Sequence, residues 1–382
     1  MANVLTDLAA DIYKAADIVG REAVGFIPSV TINAGTEQAA VGTTVRSHFT
    51  RAATVGDLAP AMTIPEGDDQ TVDNKSMTLT KQRGVGIPWT GEDIRYVGGG
   101  SGYETIYGDQ IAQAMRALSN EIETDLAIES YTNASRAVGT AGTTPFASNF
   151  DLIPEVRQIL QDNGMPVTDS RTSLVMSTSA GTNMRQLANL QKVNEAGSSQ
   201  MLRQGTLEVL SGFMMKESAQ VQSHTKGTAT GLDANGAIAL GATSLALNGG
   251  DGGTLIAGDV VSFASDSQNY VVLTGFTAAT GSAVIGGPGV QEAVADAAEI
   301  VIGNNYVANV ALHQAAVELA MRAPAKPAGG DAAVDVMLVQ DPHSGLVFEI
   351  SAYKGFNKTM IYVAAVWGFK AWKPDGIALL LG

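Results

Sequence analysis

The sequence predicts an α+β chain built on one long helix, with an all-β unit inserted late in the chain. Three observations carry this reading. Ile111, Met115, Leu118, Ile122 and Leu126 recur at three- and four-residue spacing within residues 102–134, while Asp109, Arg116, Glu121, Glu123, Asp125 and Glu129 occupy the other faces. Helical and strand-like runs follow one another on both sides of that stretch. From about Thr225 the composition shifts: residues 227–321 hold no Lys or Arg, and residues 227–303 carry seven acids amid Ala, Gly, Val and Thr.

The N-terminal residues 4–19 read as a short amphipathic helix, with Leu5, Leu8, Ile12 and Val19 on one side and Asp7, Asp11 and Asp17 elsewhere. One short helix cannot bury its own stripe, so this arm must dock on a neighbouring element or a partner. Strands follow. TVRSHFTR (44–51) is one, and residues 62–90 read as two extended limbs around a charged EGDDQTVDNK tip (66–75). The long helix then spans about 50 Å at 1.5 Å per residue, further than a small domain is wide, which makes it a strut. GGGSG (98–102) loosens its start, and RAVGTAGTTP (136–145) ends it.

Beyond the strut, DLIPEVRQILQDNG (151–164) predicts a helix stopped by Asn163 and Gly164. RTSLVMS (171–177) predicts a strand, residues 179–190 a second helix, and GTLEVLSGFMMKES (205–218) a strand pair. In the Lys/Arg-free unit, SLAL, DVVSF, YVVLTGF and EIVIG alternate with glycine turns, as in a small β barrel or sandwich. VANVALHQAAVELAMRA (307–323) reads as a returning helix. PAKPAGGD is a surface loop, strands are expected at 334–340, 346–353 and 359–367, and KAWKPDGIALLL forms a tail.

Composition excludes several functions. Lys+Arg 23 against Asp+Glu 38 gives a net charge of -15, opposite in sign to a nucleic-acid binder, so the whole chain is not expected to grip DNA tightly. The absence of cysteine removes disulfides, thiolate metal sites and cysteine nucleophiles. Asp7 and Asp11 interrupt any signal-peptide core, and the most apolar run, residues 360–369, is about half the length of a bilayer helix, so no membrane association is expected. Among His48, His224, His313 and His343 no pair stands at the spacing of a metal-binding helix, and neither HExxH nor GxSxG occurs. GGGSG lacks the lysine of a phosphate loop, and GGDGGTL (249–255) has Thr254 where a calcium repeat needs Asp. No catalytic, metal or cofactor site is predicted, and the chain is not expected to be an enzyme.

The order of parts resembles the major capsid proteins of tailed phages, whose shell fold is the Hong Kong 97 type. Within that fold the chain is most similar to the Salmonella podovirus-type coat proteins, which carry an inserted β-barrel domain. The stretches that carry this are residues 205–228, with His224, Thr225 and Gly227 at the entrance to the insertion, residues 311–324 as its exit helix, and WGFKAWKPDGIALLLG (367–382) as a closing strand. The resemblance divides the chain into an N-terminal arm (1–42), an extended hairpin (43–90), the spine helix with part of a peripheral domain (91–145), the first part of an apical domain (146–224), the inserted β-barrel (225–303), and the return helix with terminal strands (304–382).

The resemblance implies a structural subunit that forms hexamers and pentamers of an icosahedral head, assembled in the host cytoplasm and enclosing double-stranded DNA without sequence-specific binding. It also implies a scaffolding protein and a portal protein as partners, with room for a decoration protein. Asp7, Asp11, Asp17 and Glu22 are the scaffold-binding candidates, matched by region. Glu66, Asp68, Asp69, Asp73 and Lys75 are the candidates for contact with a neighbouring subunit. Nothing marks the Lys and Asn pair that cross-links some shells, so no autocatalytic cross-link is expected. An encapsulin-like compartment and a secreted surface-layer or adhesin subunit are the alternative readings, the second disfavoured by the lack of an export signal.

Overall fold

The computed structural model describes residues 20–50, 60, 62, 72–96, 101–192, 204–207 and 209–382. The predicted arm helix over residues 4–19 lies outside them. The first elements are β1 (Thr31–Ala39), β2 (Thr44–Thr50), β3 (Val72–Thr78), β4 (Lys81–Thr90), α1 (Gly91–Tyr96) and α2 (Ser101–Thr132). Next come β5 (Arg136–Val138), α3 (Leu152–Asp162), β6 (Thr172–Ser177), α4 (Thr178–Gln186), α5 (Ala188–Gln191), β7 (Val209–Leu210), β8 (Phe213–Ser218) and β9 (Ser223–His224). The Lys/Arg-free region forms β10 (Asp233–Ala234), β11 (Ser244–Asn248), β12 (Gly253–Leu255), β13 (Val260–Phe263), β14 (Asn269–Thr274), β15 (Phe276–Ala278), β16 (Gly281–Ile285) and β17 (Ile300–Ile302). The chain closes with β18 (Tyr306–His313), β19 (Val317–Pro324), β20 (Ala333–Gln340), β21 (Val347–Gly355), β22 (Lys358–Ala371) and β23 (Ile377–Leu381).

The strut is α2, and its stripe is buried as its spacing requires. Met115, Leu118, Ile122 and Leu126 share one apolar cluster with Ile87, Trp89, Val363 and Trp367. Each fully buried Leu or Ile there contributes about 2 kcal/mol. Glu123 and Asp125, which the pattern assigns to the polar faces, are also buried. The second half of the helix is therefore enclosed on several sides, and its carboxylates must find partners inside the fold.

A six-stranded sheet lies against α2 and is organised by the 14-residue β22. At Val366 and Trp367, β22 pairs with Gln82 and Lys81 of β4 on one side and with Arg322 and Met321 of β19 on the other. Further along, Ala364 to Lys358 pair with Glu349 to Gly355 of β21, and β20 lies beyond β21. β1 runs parallel to β19, and the other pairings in this sheet are antiparallel.

A second, 13-stranded sheet runs in the order β10-β11-β16-β14-β5-β23-β18-β6-β8-β7, with β13 branching off β14, β17 pairing β13, and β9 pairing β18. The predicted tail is its centre. Every residue of β23 is buried, and the strand sits between β5, parallel to it, and β18, antiparallel. Residues 307–323 correct another expectation: they form strands β18 and β19, not a helix. Both are central strands covered on two faces, so their sequence is a nearly continuous apolar run without the alternation that identifies a half-exposed strand.

The hairpin is also shifted from its predicted register. Its limbs are β2 and β3, paired from Thr44↔Thr78 to Thr50↔Val72, so Asp73, Asn74 and Lys75 belong to a limb and not to the tip. The segment 81–90, read as a limb, is instead β4 of the six-stranded sheet, and Pro88 is tolerated there because β4 is an edge strand.

The Lys/Arg-free region gathers a core of its own around Leu232, Leu245, Val261, Phe263, Tyr270 and Ile300. Its backbone is nevertheless continuous with the rest, since Asn269 and Tyr270 of β14 pair with Ala137 and Arg136 of β5.

Candidate inter-subunit surface and the anchors behind it

Asp7, Asp11, Asp17, Glu66, Asp68 and Asp69 lie outside the described residues. Glu22 is placed, and it is engaged within its own chain. Its carboxylate accepts from Arg116 on α2 and from Asn120 Nδ2 at 2.8 Å, and the Arg116 guanidinium draws its pKa down to about 2. Asp73 stands opposite Phe49 in the hairpin ladder, and Lys75 opposite Ser47.

Lys75 stands midway along β3 and ties the hairpin to the segment that follows β22. Its ammonium donates to the Trp372 carbonyl at 2.8 Å and lies 5.6 Å from the centre of the indole, which Lys370 approaches to 5.9 Å. Burial, followed by the neighbouring charges of Lys373 and Lys370, lowers the Lys75 pKa. Met77 and Leu79 pack with Ala320 and Val366. Because side chains alternate along a strand, Val366 faces away from the α2 side that takes Ala365 and Trp367. The sheet is thus held between the spine helix and the root of the hairpin.

Glu121, Asp125 and Glu129 recur every four residues and so share one side of α2. Lys81 Nζ reaches Asp125 Oδ1 at 2.7 Å and Glu121 Oε1 at 3.3 Å, and the Ala371 N–H donates to Glu129 Oε1 at 2.9 Å. Burial works against the Lys81 charge, but Asp125 and Glu121 outweigh it and the pKa is raised. Burial raises the Glu129 pKa. The ladder clamps α2 to β4 and β22, the two strands from which the hairpin and the chain's last segment emerge.

A second set of bonds fastens residues 21–29 across the other side of α2. Arg21 bonds both oxygens of the buried Asp341 at 3.0 and 2.5 Å. Burial raises the Asp341 pKa, yet Arg21 and the Ser344 hydroxyl more than offset this and hold it at about 2. Glu123 accepts the backbone N–H groups of Gly25, Phe26 and Ile27 at 2.6, 2.7 and 2.9 Å, and the Ser218 hydroxyl at 2.8 Å. Burial dominates over these bonds and raises its pKa. Gly25 is required by this approach: a Cβ there would stand 2.7 Å from Val175 Cγ1 and 2.9 Å from the Glu217 carbonyl oxygen.

At the mouth of the Lys/Arg-free region, His224 Nε2 donates to the buried Asp259 Oδ1 at 2.9 Å. Asp259 also accepts the N–H groups of Gly227 at 3.0 Å and Ile256 at 2.8 Å. The His224 ring packs on Tyr306, 5.1 Å between centres, and Tyr131 meets it edge-on at 5.6 Å. The Tyr306 hydroxyl closes the group by donating to the Gly258 carbonyl at 2.6 Å. His224 precedes β10 and Tyr306 follows β17, so one cluster ties the start and the finish of residues 225–303 to the last turn of α2. The sequence points to His224 only through the resemblance; Asp259, 35 residues away, carries no local signal.

His313 Nδ1 accepts the Ala315 N–H at 3.2 Å, which leaves Nε2 to donate to Asp169 at 2.9 Å. Among the described residues no group of His, Asp and Glu is arranged to hold a metal ion. No described helix is long and apolar enough to cross a membrane. The acids and bases placed by these contacts hold layers together within one chain.

No family model matches the sequence, and no curated protein matches it. Its fold is that of two solved phage structures. The chain is similar to a structure from Mycobacterium phage Che8, with a TM-score of 0.52 at 13% identity over 99% of this chain and 98% of that one. It is likewise similar to the capsid structure of the cyanophage P-SCSP1u, with a TM-score of 0.52 at 10% identity over 100% of this chain and 95% of that one.

Proposed function

We propose that this chain is the major capsid protein of a tailed bacteriophage, a Hong Kong 97-type subunit that self-assembles into the icosahedral head of the virion. The observation that carries the reading is a fold shared end to end with the chain of a phage capsid structure. The bracing of α2 supports it: a shell subunit transmits load between neighbours, and a helix clamped to a sheet by the partly buried Lys81–Asp125 pair and by the bond from Trp367 to the same carboxylate is a stiff member. In a shell of hexamers and pentamers many weak contacts add into a stable wall. The net charge of -15 suits a container that encloses double-stranded DNA without gripping it.

In this reading residues 225–303 are an inserted domain, the hairpin overlaps a neighbouring subunit through Glu66, Asp68, Asp69 and Asp73, and a scaffolding protein meets the arm at Asp7, Asp11 and Asp17. Lys75 and Glu22, candidates for the same two contacts, also bond within their own chain, to the Trp372 carbonyl and to Arg116. A portal protein occupies one vertex, and assembly takes place in the host cytoplasm. The test is expression with a scaffolding protein, followed by size-exclusion chromatography and electron microscopy. Closed particles are expected, and a stable monomer or dimer under all conditions would overturn the proposal. Asp68→Lys with Asp69→Lys should impair assembly while the subunit stays folded. Asp7→Asn, Asp11→Asn and Asp17→Asn together should weaken scaffold binding at low salt, where exposed charges act over roughly 10 Å or more.

A further inference from the structure

Three asparagines are followed directly by glycine: Asn163–Gly164, Asn235–Gly236 and Asn248–Gly249. In such a pair the glycine nitrogen can close on the asparagine side-chain carbonyl, because no Cβ stands in its way. Ring closure requires that nitrogen to be released from hydrogen bonding and the asparagine amide to turn. The fold meets these conditions unequally. Asn163 Nδ2 donates to Ser135 Oγ at 3.0 Å and to the Asp375 carbonyl at 2.9 Å, and its Oδ1 accepts from Arg136 at 2.9 Å. The Gly164 N–H donates to the Gln161 carbonyl at 2.9 Å. At the second pair the Gly236 N–H donates to Asp296 Oδ1 at 2.7 Å, and the Asn235 N–H to the Ala246 carbonyl at 2.9 Å.

Asn248–Gly249 departs from both. Among the described residues neither the Asn248 side chain nor the Gly249 N–H makes a hydrogen bond. Asn248 is half-buried, Gly249 is exposed, and the turn they open continues with Gly250. Asn248 ends β11 one residue beyond its last pair with β16, Leu247↔Gly281, so its ladder partner is Asp233 of the two-residue β10. Little holds its backbone in place. The turn nevertheless requires glycine, since Gly249 has φ +78° and a Cβ there would stand 2.9 Å from Asp233 Oδ2. The reactive pair is therefore built into this corner of the fold.

We propose that Asn248 is a site of spontaneous deamidation in the folded protein, and that its product loosens β10. The Gly249 nitrogen bonds to Asn248 Cγ while the Cγ–Nδ2 bond breaks. The Gly249 amide proton passes to the departing nitrogen, which leaves as ammonia. Water then opens the succinimide at one of its two carbonyls, and residue 248 becomes aspartate or isoaspartate. The new carboxylate stands opposite an existing one, because Asp233 pairs with residue 248 on one side and with Glu299 on the other. Like charges directly opposite one another destabilise a strand pair. Residues 227–321 hold no Lys or Arg to offset three acids in a row. β10 lies in the middle of that row, so the strain falls on its two residues.

The experiment ages the full-length protein at neutral pH, folded and in urea, and follows each asparagine by peptide mapping, with enzymatic methylation of isoaspartate as a second readout. In the folded protein residue 248 should convert at least about tenfold faster than residues 163 and 235, which must wait for local opening. In urea the three should convert alike, since each is an Asn-Gly pair. Asn248→Gln should keep the wild-type circular dichroism and lose the fast isoaspartate signal. Asn248→Asp reproduces one product. In it the Ala234 and Asn235 amides, bonded to the Ala298 and Ala246 carbonyls, should exchange several-fold faster than in fresh wild type. A residue 248 that keeps its amide as long as residue 163 does, or one order of conversion in both folded and unfolded protein, would overturn the site. Equal exchange in Asn248→Asp and wild type would overturn the loosening of β10. These readouts need no assembled particle, so they stand apart from the shell reading.

Discussion

The indole N–H of Trp367 donates to Asp125 Oδ2 at 3.0 Å, while Lys81 Nζ holds the other oxygen of the same carboxylate at 2.7 Å. One side chain of α2 thereby bonds two adjacent strands, β22 and β4, which pair at Trp367↔Lys81. Asp125→Ala would strand the buried indole N–H and leave Lys81 with Glu121 alone, and should cost about 3 kcal/mol. Trp367→Phe keeps most of the packing and loses one bond to a charged group, and should cost about 2 kcal/mol. Urea unfolding of both variants checks the order, which fails if the phenylalanine variant is the less stable.

Glu123 should make stability fall as pH rises. Its folded pKa lies above its ordinary value of 4.5, so the fold favours the protonated acid. Its contribution is fully present below the unfolded pKa and is lost as pH rises through the folded one. Glu123→Gln removes the titration and so carries no such loss, at the fixed cost of one acceptor among the donors of residues 25–27 and Ser218. The variant should therefore gain on the wild type as pH rises above the ordinary 4.5, and a stability difference that does not change with pH would contradict this. Glu123→Ala has the opposite consequence. It leaves three backbone N–H groups of residues 25–27 without their acceptor and should cost about 3 kcal/mol or more.

The Arg21 and Asp341 pair has the reverse sign. Asp341 is held at about 2 against an ordinary 3.8, so its contribution is present above the unfolded pKa and disappears as pH falls through the folded one. The shift corresponds to about 2 kcal/mol. Between pH 4 and pH 2 the N-terminal segment should loosen, seen as faster hydrogen exchange in residues 21–29. Asp341→Asn should show that loosening already at neutral pH. Equal protection in the wild type at pH 2 and pH 7 would count against the pair as the fastening.

Asp259 should govern how firmly the Lys/Arg-free region is held to the rest. Asp259→Ala leaves His224 and the N–H groups of Gly227 and Ile256 without their acceptor in a buried site, a loss of about 3 kcal/mol. Tyr306→Phe removes one neutral bond to Gly258 and should cost about 1 kcal/mol. Limited proteolysis should cut first near residues 225–230 and 303–305 in the alanine variant. Cleavage elsewhere with those segments intact would place the weak point outside the junction.

The sequence by itself determined the elements whose signal is local. The stripe from Met115 to Leu126 fixes α2, because burial on one side of a helix repeats every three or four residues. DLIPEVRQILQDNG fixes α3, RTSLVMS fixes β6, and the loss of Lys and Arg after residue 226 marks a region with a core of its own. Tertiary structure decided the rest. Whether residues 307–323 form a helix or strands depended on their being covered on both faces, which erases the alternation a strand otherwise shows. The end of the chain became the central strand β23 because β5 and β18 lie on either side of it. The register of the hairpin was set by pairing across the gap from β2 to β3 and not by the charges between them. Glu123 and Asp125 read as surface acids on a helix, yet the groups that hold them, Phe26 and Trp367, stand 97 and 242 residues away. A buried carboxylate is stable only with its partners in place, and partners so distant in the chain are supplied by folding alone.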